Sequence, residues 1–528
     1  MNPPPPPEVL AFADSLGWDA CEEKGRCERR ESGQFFTPPQ IARFLAHWFH
    51  ETSFNRPKVH LLDPGAGAGA LTAAVVDRII TLHHSGALPR LREVILEVWE
   101  LDADFLPALR DTLLKCKNSL ENAGIEVRLQ IFGGNFIEGA FNYLEEGLFS
   151  QAHETSVTHA ILNPPYRKIS TGSRERTLLG ALGMETSNLY AAFVWIAIRR
   201  LIIGGELTAI TPRSFCNGPY FREFRRDLLL SSIFHTAHLF NSRTEAFGRD
   251  AVLQENLLFH LTKDSPDRTE VILSSGSLDR PDEVAVPFDR FVRVDDPDQV
   301  IHLAAEADAQ AIGDFIRSLP CELDDLGITV STGPVVDFRL RNSLSRHLRT
   351  GDAPLLYPHS VKAGKVIPPL SDSSLHNDRR NSKKPVAIAI NDETLPWLVP
   401  ASRFVLIKRF SSKEERRRLV AGVMDPDEEF SGLIGIENHL NFFHRNRQGL
   451  PQYLARGLAR FLNSTVADRY FRQFNGHTQV NVSDLRAFRY PSAAMLEKLG
   501  KTKIDDGDQR TIDLAMSRQL GAPSFPNP

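Results

Sequence analysis

Apolar residues in the first half of this chain fall into short unbroken runs. Val59–Leu62, Val94–Trp99, Val127–Phe132, Thr158–Leu162, Leu207–Thr211 and Leu257–Leu261 each read as a buried strand. Between them the spacing becomes helical, as it does from Ala70-Leu71 onward. Glu8 to Arg30 predicts a helical lead-in, and Pro39 to Phe49 a helix opened by prolines. Strand and helix patterns alternate from Val59 to about Thr262, which predicts an α/β fold with a mostly parallel sheet covered on both faces. A stretch rich in Ser, Asp, Pro and Arg follows and reads as a linker over 265–298. Beyond it the alternation is lost. Irregular segments, short strands and a basic helix predict a separate α/β domain over 299–528, after a tail and lead-in over 1–33 and a first domain over 34–264.

Ligands of open α/β sheets collect at the carboxyl ends of the strands, so the residues there carry the chemistry. The first strand runs into Asp63-Pro64-Gly65-Ala66-Gly67-Ala68-Gly69, then a helix. Strand, glycine turn and helix make a nucleotide-type pocket, and Gly65 and Gly67 let a ligand touch the backbone. The spacing is neither that of a dinucleotide site nor that of a phosphate loop. The acid before the glycines, Asp63, suits a ligand bearing an ammonium group better than a pyrophosphate, which favours a helix N-terminus. S-adenosylmethionine is such a ligand. The second strand ends in Glu100-Leu101-Asp102, and Glu100 directly follows the apolar run, where an acid can accept both ribose hydroxyls. After the third strand, Asn135 is a candidate to bond an adenine and Phe136 to pack on it.

The fourth strand delivers Asn163-Pro164-Pro165-Tyr166. These residues suit methylation of an amino nitrogen attached to a flat π-system, a poor nucleophile because its lone pair is delocalised. The Asn163 side-chain oxygen and the Pro164 carbonyl can accept its two hydrogens and draw it toward a tetrahedral, nucleophilic geometry. The prolines, Pro164 and Pro165, stiffen the turn, and Tyr166 offers a π-face to the substrate plane. Alone, the tetrapeptide is equally an ordinary proline-rich turn; the upstream glycine loop and acid change that balance.

Taken in order, Gln34-Phe35-Phe36-Thr37-Pro38, Asp63 to Gly69 and Asn163 to Tyr166 resemble the motifs of gamma-class adenine-specific DNA methyltransferases. Asn188-Leu189-Tyr190, Gly204 to Leu207, Thr211 to Tyr220, Val330 to Pro334 and Gly476 to Asn481 extend the likeness. Together they are similar to PstI/BsuBI-type modification methylases of type II restriction systems, from about Gln34 to about Pro491. The resemblance implies a Rossmann-like S-adenosylmethionine-dependent methyltransferase sheet of seven strands, the last inserted antiparallel, followed by a target-recognition domain. It also implies that Phe36 and Thr37 contact the methionine end of the cofactor and that Glu100 holds the ribose. Asn135 stands where such enzymes often have Asp, which puts its adenine contact in question. A second aromatic beneath the flipped base is implied, and Tyr220 and Phe221 remain equal candidates. The partner implied is double-stranded DNA, with any cognate restriction endonuclease a separate protein. A monomer is the default.

Composition changes little. The chain has 528 residues, 42% hydrophobic and 24% charged, as in ordinary soluble proteins. Its net charge of −4 gives no bulk nucleic-acid signal, so only local basic clusters can bind DNA. Five scattered cysteines lack metal spacing, and no signal pattern or membrane-length run is present, so a reduced cytoplasmic protein without a metal or membrane partner is expected.

Basic residues interleaved with aromatics mark the second half. Lys408 and Arg409 beside Phe410, Arg445 after an aromatic run, and His477 and Gln479 in a polar loop are the candidate DNA contacts. Gln can bond an adenine edge bidentately. The run to Arg418 also fits a solvated helix face, with Glu414 and Glu415 pairing to arginine. The same catalytic tetrapeptide serves methylases of RNA adenine and of protein glutamine amides, but about 200 residues beyond the catalytic half exceed what a glutamine methylase needs. No acid-acid-x-Lys nuclease arrangement is found, which disfavours a bifunctional restriction enzyme, and intact motifs disfavour an inactive scaffold.

Overall fold

The computed structural model describes residues 8–24, 36–149, 157–217, 219–240, 255–264, 270–292, 296, 298–303, 307–367, 369, 384–411, 415–426, 432–475 and 478–523. The chain divides into two compact units, Met1–Ala305 and Glu306–Pro528.

The first unit is built on one sheet. Its strands are β1 (Lys58–Pro64), β2 (Glu93–Glu100), β3 (Glu126–Gly133), β4 (Val157–Leu162), β5 (Leu201–Pro212), β6 (Ser232–Leu239), β7 (Asn256–Lys263), β8 (Glu270–Ser275) and β9 (Asp282–Pro287). They lie in the order β3-β2-β1-β4-β5-β7-β6-β8-β9. The first five pair in parallel, and β7 enters antiparallel between β5 and β6. The expected seven-stranded arrangement is therefore present, and β8 and β9 widen it to nine. Strands β1 and β4 are buried almost throughout, because helices cover both faces. Helices Pro39–Trp48, Ala70–His84 and Leu106–Asn122 contribute to one apolar core; helices Phe136–Phe149 and Leu189–Arg200 contribute to the other.

The segment read as a linker is not one. It carries β8, which pairs in parallel with β6, and β9, which pairs antiparallel with β8. In β8 the outer positions Glu270 and Ile272 are exposed while Val271 and Leu273 are buried. A strand buried on one face interleaves polar residues with apolar ones, and a short run of that kind resembles a polar connection. The lead-in helix spans Glu8–Lys24; the rest of that expectation lies outside the described residues.

Among its described residues the second unit holds two smaller sheets. One has six strands in the order Thr329–Thr332, Leu440–His444, Phe404–Lys408, Ala421–Met424, Gly364–Val366 and Val361–Lys362. The other has five short strands. Helices Gln452–Leu462 and Thr465–Phe474 are strongly one-faced, with Leu454, Leu458, Phe461, Val466, Tyr470 and Phe471 buried. Gly457 is required here: a Cβ would lie 1.9 Å from the Leu496 carbonyl oxygen of helix Ala493–Lys501. The expected basic helix is absent from Glu415–Arg418. Arg418 is instead fully buried: its Nε donates to the Ser411 hydroxyl, its Nη2 donates to Asn475, and its guanidinium stacks over Phe471.

Candidate active site

The strand order reverses between β1 and β4, and a pocket opens at their carboxyl ends. Phe36, Thr37, Gly65, Gly67, Glu100, Asn135 and Phe136 all line it, and so do Asn163 and Pro165. Residues from four strand ends and from the segment preceding the sheet thus meet where the sequence placed them.

The floor is the glycine turn. Gly65, Gly67 and Gly69 adopt φ of 78°, 56° and 89°, a region costly for other residues. Gly65 and Ala66 donate their N–H groups to the Trp99 carbonyl, and Gly67 donates to Glu100 Oε2 at 2.8 Å. A Cβ on Gly67 would meet nothing within 4 Å, so its bare backbone faces open space. Glu100 also accepts from the Asp102 N–H at 2.7 Å, and burial raises its carboxyl above the usual carboxylate range. Two backbone bonds still leave lone pairs on that carboxylate for ligand hydroxyls.

Asp63 departs from expectation. It does not line the pocket; it is fully buried and accepts from the Thr72 hydroxyl at 2.7 Å, at the start of the following helix. Its short side chain turns behind the loop, so it shapes the turn rather than meeting a ligand's ammonium group. Burial pushes its carboxyl up to about 7.

The walls are aromatic. Phe36 packs 5.5 Å from Phe105, and Phe136 packs 5.1 Å from Phe193. The Trp99 indole stacks on Phe132 and donates its N–H to Glu97, a buried carboxylate also held by His60 and Arg200. Gly139 makes room for that indole, since a Cβ there would lie 2.1 Å from it. Trp99, Leu101, Phe105, Arg167, Glu175, Leu189 and Phe193 are lining residues that the sequence reading did not assign to the site. Trp99, Leu101 and Leu189 fall within named sequence segments, whereas Phe105, Arg167, Glu175 and Phe193 carry no such signal.

Asn163 donates its amide nitrogen to the Thr37 hydroxyl at 2.9 Å, a bond spanning 126 residues. The amide is thus oriented with its nitrogen toward Thr37. Pro164 is buried behind it. Tyr166 is half-buried, with its hydroxyl toward the Ile210 carbonyl and its ring edge-on to Tyr190, 6.5 Å away. The two candidates for a second aromatic separate clearly. Phe221 is buried against Tyr190, whereas Tyr220 is 82% exposed.

Aligned with known proteins, the chain is 38% identical to the type II methyltransferase M.PstI of Providencia stuartii over 98% of both chains. It is 40% identical to the type II methyltransferase M.BsuBI of Bacillus subtilis over 90% of its own length and 91% of that protein's. The chain belongs to the type II methyltransferases of restriction-modification systems. Within this type II methyltransferase, residues 152–247 also match the Eco57I restriction-modification methylase family. A DNA complex of the type IIL restriction-modification enzyme MmeI shares its fold, with a TM-score of 0.51 and 13% identity over 98% of this chain and 75% of that one.

In the second unit of the methyltransferase, Lys408, Arg409 and Gln479 come together. Phe410 forms a bridge with Gln479, and the Phe410 ring lies 4.7 Å from His439. Arg409 donates to the Asn438 carbonyl, and burial lowers the Lys408 ammonium below its usual value. Arg445 does not join them. It follows the other end of strand Leu440–His444, and its guanidinium is held by the Leu326 carbonyl at 2.9 Å. His477 lies outside the described residues. In the first unit, a different cluster, His50, Glu206 and His260, brings three ligand-type atoms within 4.8 Å near the middle of the nine-stranded sheet, and the two histidines hold the Glu206 carboxyl well below its usual range.

Proposed function

We propose that this type II methyltransferase transfers a methyl group from S-adenosylmethionine to the exocyclic N6 amine of an adenine rotated out of duplex DNA. The observation that carries this reading is the Asn163–Thr37 bond at the mouth of the glycine-floored pocket. The residues present fit the cofactor: an open backbone at Gly67, a buried acceptor at Glu100 and the aromatic walls Phe36, Phe105, Phe136 and Phe193. Bound there, S-adenosylmethionine supplies an electrophilic methyl group on a sulfonium.

The chain's own residues do the rest. With its nitrogen committed to Thr37, Asn163 presents Oδ1 to one hydrogen of the target amine, and the Pro164 carbonyl takes the other. Both acceptors sit on a turn stiffened by prolines, so the amine is held pyramidal and in line rather than activated by a base. No general base is required at the start, because the proton becomes acidic only once the nitrogen carries positive charge. Tyr166 stacks on the extruded base, and exposed Tyr220, rather than buried Phe221, is the residue able to move against its other face. Lys408, Arg409 and Gln479 form the DNA-facing edge of the second unit. The enzyme acts as a monomer.

The test is incubation of the purified protein with tritiated S-adenosylmethionine and DNA from an unmodified host, followed by hydrolysis. Label in N6-methyladenine supports the proposal. Label in cytosine, in RNA or in protein glutamine overturns the substrate, and no transfer to any of these overturns the reading.

A further inference from the structure

One corner of the pocket combines two polar side chains from distant parts of the first unit. Asn135, just beyond β3, accepts the Ile137 N–H at 3.0 Å through its amide oxygen and donates its amide nitrogen to Glu175 Oε1 at 3.1 Å. The oxygen is thereby committed to the start of helix Phe136–Phe149, and the nitrogen end faces Glu175. An amide held this way offers a ligand an N–H, not the acceptor that an aspartate would offer. Glu175 supplies a carboxylate beside it. It lies in the first turn of helix Arg174–Ala181, whose N-cap is Ser173, and it lines the same pocket. The helix-start N–H and the Ser173 and Asn135 side chains keep this carboxyl below its usual range, with Arg167 adding a smaller effect. A second tie, Arg174 to Glu138 at 3.6 Å, joins the same two helices.

An N–H beside a carboxylate matches a flat edge that carries a ring acceptor beside an exocyclic amine. Adenine has that edge, with N1 accepting and N6 donating; hypoxanthine has the reverse, with N1 donating and O6 accepting. We propose that Glu175 determines the base specificity of the cofactor pocket: it accepts from the N6 amine of the cofactor's adenine while Asn135 donates to N1. The proposal rests on the reading of this pocket as a site for S-adenosylmethionine. Glu175, from helix Arg174–Ala181, supplies the acceptor that the Asn135 amide does not offer there.

The experiment is calorimetric titration of the whole chain with S-adenosylhomocysteine and with its hypoxanthine counterpart, S-inosylhomocysteine. The wild type is expected to prefer the adenine ligand by about tenfold or more, because hypoxanthine loses a charge-assisted hydrogen bond and turns O6 to the Glu175 carboxylate and N1–H to the Asn135 N–H. Glu175→Gln, which can donate to O6, is expected to weaken the adenine ligand and narrow the preference by about tenfold, with the mismatch of N1–H against Asn135 remaining. Its unliganded melting temperature should match the wild type, because Glu175 is partly exposed and a small amide replaces it. An unchanged preference in Glu175→Gln, with the wild type binding normally, overturns the role of Glu175 alone. A wild type that binds neither ligand overturns the pocket reading and this inference with it.

Discussion

The pocket of the first unit and the basic edge of the second teach different lessons about polar residues in sequence. In the pocket, Gly65, Gly67, Glu100, Asn135, Phe136, Asn163 and Pro165 line the cavity because each stands at or just past the carboxyl end of a strand and the parallel sheet brings such ends to one edge. In the second unit no such rule applies. Its sheets are mixed, and an arginine there serves equally as a phosphate contact or as an internal strut. Arg418 is the strut: a buried guanidinium whose Nε and Nη2 donate to Ser411 and Asn475, in a run that reads as a solvated helix face. Lys408 and Arg409 flank the surface beside half-exposed Phe410.

Substitutions can break this contrast or sharpen it. Asn163→Ala should lower single-turnover methyl transfer by about 10³-fold, with DNA affinity in gel shift changed little. Parallel loss of both would make Asn163 an organiser of the fold. Arg418→Ala should lower stability in urea by about 3 kcal/mol, since its buried partners lose their donor. A cost below about 1 kcal/mol would return Arg418 to the surface class.

Asp63 gives a pH-dependent effect of the same kind. Its folded carboxyl titrates at about 7 against an ordinary 3.8, so the folded state holds a proton that the unfolded state has released between those values. Stability from this group therefore falls as pH rises from about 4 to about 7 and is level above. Asp63→Asn should flatten that decline in urea titrations run across the range, and an unchanged slope would refute it. The smallest effects belong to the DNA edge. Lys408→Ala and Arg409→Ala should each weaken DNA binding a few-fold and lower the salt slope by about one, whereas Arg445→Ala should leave that slope alone. A slope change at Arg445 as large as at Arg409 would erase the distinction drawn from the Leu326 contact.

Sequence revealed the pocket through strand ends and missed what reaches it sideways. The apolar runs located the core strands because buried parallel strands are continuous in apolar residues, and Asp63, Glu100, Asn135 and Asn163 follow from where those runs stop. Even so, Asp63 turns behind the loop, a matter of side-chain direction that no pattern encodes. Trp99 reads as the last residue of a strand, and nothing in the sequence marks Glu175; only the packing of one helix beside another brings Glu175 to Asn135. Tyr220 and Phe221 are adjacent and chemically alike, so exposure alone separates them. Strands β8 and β9 were hidden by polar alternation, and Arg418 by the habit of reading charge as surface.

Those two added strands have a colloidal consequence. Without them β6 would end the sheet and offer its open backbone to other chains. With them the terminal strand among the described residues is β9, which begins with exposed Asp282 and Glu283 and ends at Pro287, a residue with no N–H to give. Paired carboxylates repel a like strand and the proline stops the ladder, so the sheet is closed against edge-to-edge aggregation at the rim where it would otherwise grow.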